Sequence, residues 1–154
     1  MKKSDQRKIH ISVKKQELSL KSGRKRLATY PISTSRFGLG TKVGSMKTPT
    51  GSFRIAEKIG DGMPVGTVFK SRRPVKATTR MLSDEDLVMT RILWLDGANR
   101  KNANTYERFI YIHGTNHEEQ IGEPASHGCI RMRNADLVEL FDRVGIDTPV
   151  MIKA

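Results

Sequence analysis

The sequence predicts a mainly-β domain, a β-sandwich or partly open barrel with one late α-helix. Three observations lead there. Short segments alternating apolar and polar residues recur from Ile9 onward, turns rich in glycine and proline separate them, and only the stretch after Asn134 carries apolar residues at helical spacing. The 154 residues suit one compact domain with its own core.

Ile9-His10-Ile11-Ser12-Val13 and Gln16-Glu17-Leu18-Ser19-Leu20-Lys21 both alternate, with Lys14-Lys15 between them, which reads as a hairpin with one buried face. Ser22-Gly23-Arg24 supplies the next turn. Arg26 to Thr34 resumes β-branched and aromatic composition, and Pro31 within it marks an edge or a bulge. Gly38 to Gly51 reads as a loop ending in the Thr48-Pro49-Thr50-Gly51 turn, and Ser52 to Lys58 as a strand. Gly60 to Gly66 is turn-rich, and Ser71 to Asp86 is read as an excursion over a face of the sheet. Leu87 to Leu95 and Tyr106 to His113 are predicted as central strands joined by the polar loop Asp96 to Thr105. With Asn134 as N-cap, Leu137, Val138, Leu140, Phe141 and Val144 form one stripe that Gly145 ends, and Thr148 to Ile152 is the last strand.

Composition narrows the function classes. With 36% hydrophobic and 29% charged residues, and no apolar run near the length of a membrane span, a membrane bundle is excluded. The net charge of +12 is uneven: residues 1–26 hold ten basic and two acidic residues, whereas the rest holds eighteen and fourteen. Residues 1–8 are read as a basic N-terminal tail open to disorder, and 9–154 as the domain. The charged start lacks the apolar stretch of a secretory signal, so a cytoplasmic location is expected if Met1 is the native start. A trimmed mature form would instead belong to the periplasm or cell envelope.

The chemistry concentrates in one stretch. Three of the four histidines, His113, His117 and His127, fall within fifteen residues, and the single cysteine, Cys129, follows two positions after the last. One cysteine leaves three roles: inert core thiol, metal ligand or nucleophile. An imidazole can take the proton of a thiol and leave a thiolate, the usual reason for pairing the two. Gly128, without a Cβ, allows close approach of a substrate carbonyl and leaves nearby N–H groups for an oxyanion. No acid adjoins His113, so a backbone carbonyl, that of Gly114, is the expected orienting partner. Zinc bound by His113, His117, His127 and Cys129 is the competing arrangement, although His127-x-Cys129 is tighter than the usual pair spacing. His117 beside Glu118 and Glu119 reads as a solvated loop residue, and His10 as facing solvent or a strand neighbour. No metal or other cofactor is expected.

Ile112-His113-Gly114-Thr115-Asn116, then Ser126-His127-Gly128-Cys129-Ile130-Arg131-Met132 and Asn134, resemble the signature of the L,D-transpeptidase catalytic domain family, the YkuD type. Lys47-Thr48-Pro49-Thr50-Gly51-Ser52-Phe53 resembles its TPTG-type turn, and Gly145 with Thr148-Pro149-Val150 extends the likeness. It spans about Ile9 to Ile152. The resemblance implies a mixed-sheet version of the predicted fold and a cysteine-dependent exchange of peptide bonds in peptidoglycan stem peptides. It implies Cys129 as nucleophile, His113 as proton donor and acceptor, and the Gly114 carbonyl as its orienting partner. Ser126, His127 and Gly128 would shape the pocket and oxyanion site. Thr115, Asn116 and an Arg131 fork would bind substrate, the alternative for Arg131 being a structural arginine that satisfies loop carbonyls.

The family works mostly on the cell wall, and an unexported chain would meet soluble muropeptides instead. Water in place of an amine acceptor would then make it an L,D-carboxypeptidase. A basic module that binds an anionic polymer is the reading from a different class. No nucleic-acid motif accompanies the basic residues, so nucleic acid is not an expected partner.

Overall fold

The computed structural model describes residues 6–154. Ten strands form one sheet: β1 (Arg7–Ser12), β2 (Glu17–Ser22), β3 (Lys25–Ser33), β4 (Gly51–Ile59), β5 (Val68–Lys70), β6 (Arg73–Val75), β7 (Val88–Gly97), β8 (Tyr111–Gly114), β9 (Ile130–Met132) and β10 (Pro149–Lys153). Two helices accompany them, α1 (Thr79–Asp84) and α2 (Asn134–Arg143). The order β4-β10-β1-β2-β3-β9-β8-β7 closes on itself because β4 also pairs with β7, while β5 and β6 extend from β7. The sheet is mixed, with β1–β10 and β8–β9 parallel and the other neighbours antiparallel.

Alternation decides which side chains face the core. Ile9, Ile11, Leu18, Leu20, Ile112 and Ile130 are fully buried in one cluster with Leu137, Leu140 and Phe141 of α2. The intervening residues Ile92, Trp94 and Tyr111 turn to the opposite face and form a second cluster with Phe69, against which Cys129 packs. The ring turns at irregularities in the ladder, one in β4 between Ile55 and Glu57 and one in β7 between Met89 and Ile92.

Several elements differ from the sequence reading. Arg7 and Lys8, assigned to the tail, begin β1, and residues 1–5 lie outside the described part. The excursion contains β5, β6 and a second helix, α1, started by Thr78, whose Oγ1 accepts from the Met81 N–H at 3.2 Å. Tyr106 to Phe109 is not strand. It turns through bonds from the Arg108 N–H to the Asn104 carbonyl and from the Phe109 N–H to the Tyr106 carbonyl, each 3.0 Å, because Tyr106 stacks on Trp94 at 4.0 Å between ring centroids. Asn134 is the first residue of α2, with Arg133 at the cap position. Pro31 fits inside β3 because β9 pairs only with Ile32 and Ser33, so its missing N–H deprives no neighbour. Among the described residues no helix is long and apolar enough to cross a membrane.

Candidate active site

Parallel pairing of β8 with β9 sets Ile112 opposite Ile130 and His113 opposite Arg131. Ile112, Ile130 and Met132 enter the main core. Period two therefore sends Tyr111, His113, Cys129 and Arg131 to the opposite face. One register thus brings residues sixteen positions apart to one side of the sheet.

His113 is buried, and its Nδ1 lies 2.5 Å from the Gly114 carbonyl oxygen. In the neutral ring that contact places the proton on Nδ1 and leaves Nε2 as the lone-pair nitrogen. Burial holds the imidazole below its ordinary pKa, opposed by the Gly114 bond and by Asp86, with Arg131 adding to the lowering. Gly114 has no space for a side chain: a Cβ there would collide with Asn134 Oδ1 and the Met89 carbonyl. Asn134 secures the same corner. Its Nδ2 donates to the Thr115 carbonyl at 2.8 Å, and its Oδ1 accepts from Thr90 Oγ1 at 2.5 Å. Thr90 holds the left-handed backbone, φ 76°, an unfavourable region for a β-branched residue.

Cys129 Sγ accepts from the Tyr111 N–H and donates to the Phe109 carbonyl, both at 3.3 Å. The residue keeps some accessible surface, yet protein encloses the sulfur, and this burial pushes the thiol up to about 11. The Tyr111 N–H, Arg131 and Arg108 pull the other way. Among the described residues no hydrogen bond joins His113 to Cys129. Both shifts favour the uncharged forms, a thiol and a neutral imidazole. Trp94, whose ring lies 5.4 Å from Tyr111 and 5.9 Å from Phe109, forms an aromatic wall beside the sulfur, and Arg72 lies over Trp94 at 5.0 Å.

The loop before Cys129 is pinned. Ser126 Oγ donates to the Cys129 carbonyl at 2.6 Å and accepts from the Gly128 N–H at 3.3 Å. Gly128, at φ 124°, adopts a backbone that other residues rarely reach. The Gly128 N–H was expected to stand free; it has this long bond instead. Buried Thr48 donates from Oγ1 to the Gly128 carbonyl at 2.9 Å and accepts from the Ser35 N–H at 3.0 Å, which ties the Thr48-Pro49-Thr50-Gly51 turn to the loop before Cys129.

The residues assigned to substrate have internal partners. The Arg131 side chain is only 2% exposed, its Nη2 2.7 Å from Asp86 Oδ2 and its Nη1 donating to Gln120 Oε1 at 2.7 Å. Both of these partners are side chains, and the guanidinium also lines the adjoining cleft. Thr115 is buried, with Oγ1 accepting from the His117 N–H at 3.0 Å. Asn116 donates to the Leu82 and Glu85 carbonyls and accepts from the Leu87 N–H, fastening α1 beside the site. His117, expected to be solvated, has a side chain 23% exposed and packs its Nε2 3.1 Å from the Glu85 carbonyl. His127 Nδ1 meets Asp86 Oδ2 at 2.8 Å. Among the described residues no group of three or more His, Cys, Asp or Glu side chains is placed to hold a metal ion.

Sequence reading missed Asp86, Thr90 and the wall of Trp94, Phe109 and Tyr111. For Asp86 the only signal was the acidic run Asp84-Glu85-Asp86. Burial resists its ionisation, but hydrogen bonds from Arg131 and His127 and the nearby positive charge outweigh it and lower its pKa. Beside this network opens a cleft of about 410 Å³, lined by Arg36, Asp86, His117, Gln120, His127 and Arg131. It adjoins the loop before Cys129, and neither Cys129 nor His113 is in its lining.

A closed mixed ring with one long helix is the fold of solved L,D-transpeptidases. L,D-transpeptidase 3 of Mycobacterium tuberculosis, solved with a faropenem-derived adduct, superposes with a TM-score of 0.63 at 16% identity, over 97% of this chain and 60% of that one. The L,D-transpeptidase catalytic domain family, YkuD, matches residues 6–152, and the chain belongs to it. YkuD of Bacillus subtilis (strain 168) is 28% identical over 145 residues, 94% of this chain and 64% of the relative. YqjB of the same strain is 49% identical over 45 residues, 29% of this chain and 26% of the relative. The chain thus covers less than two thirds of these relatives' length.

Proposed function

We propose that the domain, residues 9–154 together with the start of β1, is a cysteine-dependent L,D-transpeptidase acting on peptidoglycan stem tetrapeptides. The observation that carries the reading is that His113 on β8 and Cys129, the residue before β9, lie on the side of the sheet away from the main core, with the Gly114 carbonyl holding Nδ1 of the imidazole. The neutral pair fits general-base activation at the moment of attack, not a standing thiolate.

The Cys129 thiol proton passes to His113 Nε2 as Sγ bonds to the carbonyl carbon of the third stem residue. The oxyanion takes N–H groups of the Gly128–Cys129 turn, and the Gly128 N–H exchanges its long bond to Ser126 for it. Collapse breaks the bond to the terminal D-amino acid, whose nitrogen takes the proton from the imidazolium, and leaves a thioester. An acceptor amine then attacks the thioester, giving its proton to His113, and the C–S bond breaks as His113 passes that proton to the departing Cys129 Sγ, restoring the thiol. The cleft beside His127 receives the stem peptide, with Arg131 and Asp86 forming its charged floor.

Intact mass measurement after incubation with a carbapenem tests the nucleophile. One adduct is expected on the native protein and none on Cys129→Ala; an unmodified, folded native protein would overturn the reading. A disaccharide tetrapeptide incubated with and without an acceptor amine then reports the acceptor. A cross-linked dimer supports transfer, and a trimmed tripeptide as the sole product assigns water, the carboxypeptidase reaction.

A further inference from the structure

The ring carries a second charged feature, on the outer face of β10, β1, β2 and β3. Register sets Lys8 opposite Lys21 and Lys21 opposite Arg26, so three cations stand in one row across neighbouring strands. Like charges directly opposite destabilise a sheet. His10, in the next row, feels Lys21, Lys153, Lys8 and Arg26, all of them lowering its pKa after burial itself. A hollow of about 260 Å³ opens there, lined by His10, Ser12, Lys15, Ser19, Lys21 and Arg26, with Glu17 the one carboxylate in its wall. Among the described residues Lys8, Lys15, Lys21, Arg26 and Lys153 form no salt bridge with an acid. Five cations therefore face solvent with a single acid among them.

We infer that this face is an exosite for the carboxylates of polymeric peptidoglycan, holding stems other than the one at Cys129. The inference rests on the proposed function for the identity of the polymer. Distance selects a polymer over a fragment. Arg26 and Ser33, the β3 residue paired with Arg131, lie seven positions apart on one strand, roughly 23 Å. A tetrapeptide reaches about 14 Å when fully extended. The stem under attack at Cys129 thus falls short of the Lys8–Lys21–Arg26 row, whereas a neighbouring stem of the same polymer reaches it. Binding there raises the local concentration of substrate at the cleft without any new contact to the reacting bond.

The test compares the native chain with a K8Q/K21Q/R26Q variant, whose changes lie outside the proposed catalytic machinery. Two substrates are used, insoluble peptidoglycan and a soluble disaccharide tetrapeptide, and cosedimentation with the insoluble polymer is measured alongside. The expected result is roughly tenfold weaker cosedimentation and a similar loss of turnover on the polymer, with turnover of the soluble substrate unchanged. The native advantage on the polymer should also shrink as salt is raised. Equal cosedimentation of the two proteins overturns the exosite, as does an equal loss on both substrates. Charge-dependent cosedimentation without turnover of either substrate would keep the exosite and overturn the reaction instead. Retention on a phosphodiester polymer with none on peptidoglycan overturns the assignment of the occupant.

Discussion

Asp86 Oδ2 lies 2.7 Å from Arg131 Nη2, so the residue that leads from α1 into β7 is paired with the strand that follows Cys129. The same oxygen meets His127 on the preceding loop at 2.8 Å. One carboxylate thereby joins the excursion to both sides of Cys129.

Replacing Asp86 by Asn leaves the Arg131 charge buried without its counterion, a change that costs about 3 kcal/mol. Urea unfolding should show the loss at neutral pH. The carboxyl has a depressed pKa, so its contribution is present above the unfolded value near 3.9 and is lost as pH falls through the lower folded value. The difference between native and Asp86→Asn stability should therefore vanish in strong acid. A difference that persists there would assign the effect to shape and not to charge.

The enclosed thiol, with its pKa pushed up to about 11, predicts slow alkylation of Cys129 at neutral pH. The iodoacetamide rate on the free protein should climb about tenfold per pH unit, with no plateau before roughly pH 10. A plateau near pH 6 would mean a standing thiolate–imidazolium pair.

His113 is held below the ordinary imidazole value by burial, so its base form persists on acidification. The acid limb of kcat/KM should fall below the usual 6.5, with activity lost as pH drops through the lowered value. His113→Gln should reduce kcat by about 10²- to 10⁴-fold while the protein stays folded. Loss of kcat without loss of the acid limb would assign the titration to another group.

Gly114→Ala introduces a methyl where Asn134 Oδ1 and the Met89 carbonyl already lie. Overpacking of this kind costs about 1–3 kcal/mol and displaces the carbonyl that orients His113. Thermal unfolding should show a lower Tm. Asn134→Ala should not restore it, because the backbone carbonyl of Met89 remains.

Most of the ring was legible because alternation is a strong local signal. Ile9, Ile11, Leu18 and Leu20 occupy the core that their period of two assigns. Tyr106 to Phe109 misled because aromatic side chains serve a strand and an outer stacking cluster equally well, and only Trp94 across the sheet decides between them. Asn134 has the residue type of a cap, yet its amide is drawn to Thr90 and Thr115, which no local pattern announces. At the site, the His113 contact with the Gly114 carbonyl follows from adjacency and could be anticipated. The Asp86–Arg131 pair joins positions forty-five residues apart, through a contact that exists only after β8, β9 and α1 are placed.

The parallel junction of β8 and β9 separates what the domain keeps from what it can change. His113 stands on β8 and Cys129 immediately before β9, whereas His117, Gln120 and Pro124 of the cleft wall come from the crossover between them. A graft exchanging that crossover for one of different sequence would change the cleft wall while leaving His113 opposite Arg131 in the β8–β9 register. Under the proposed function the lining that would meet the donor and the pair that would react with it are separate parts of the chain, and a set of chimeras differing only between Asn116 and Ala125 would vary the first without the second.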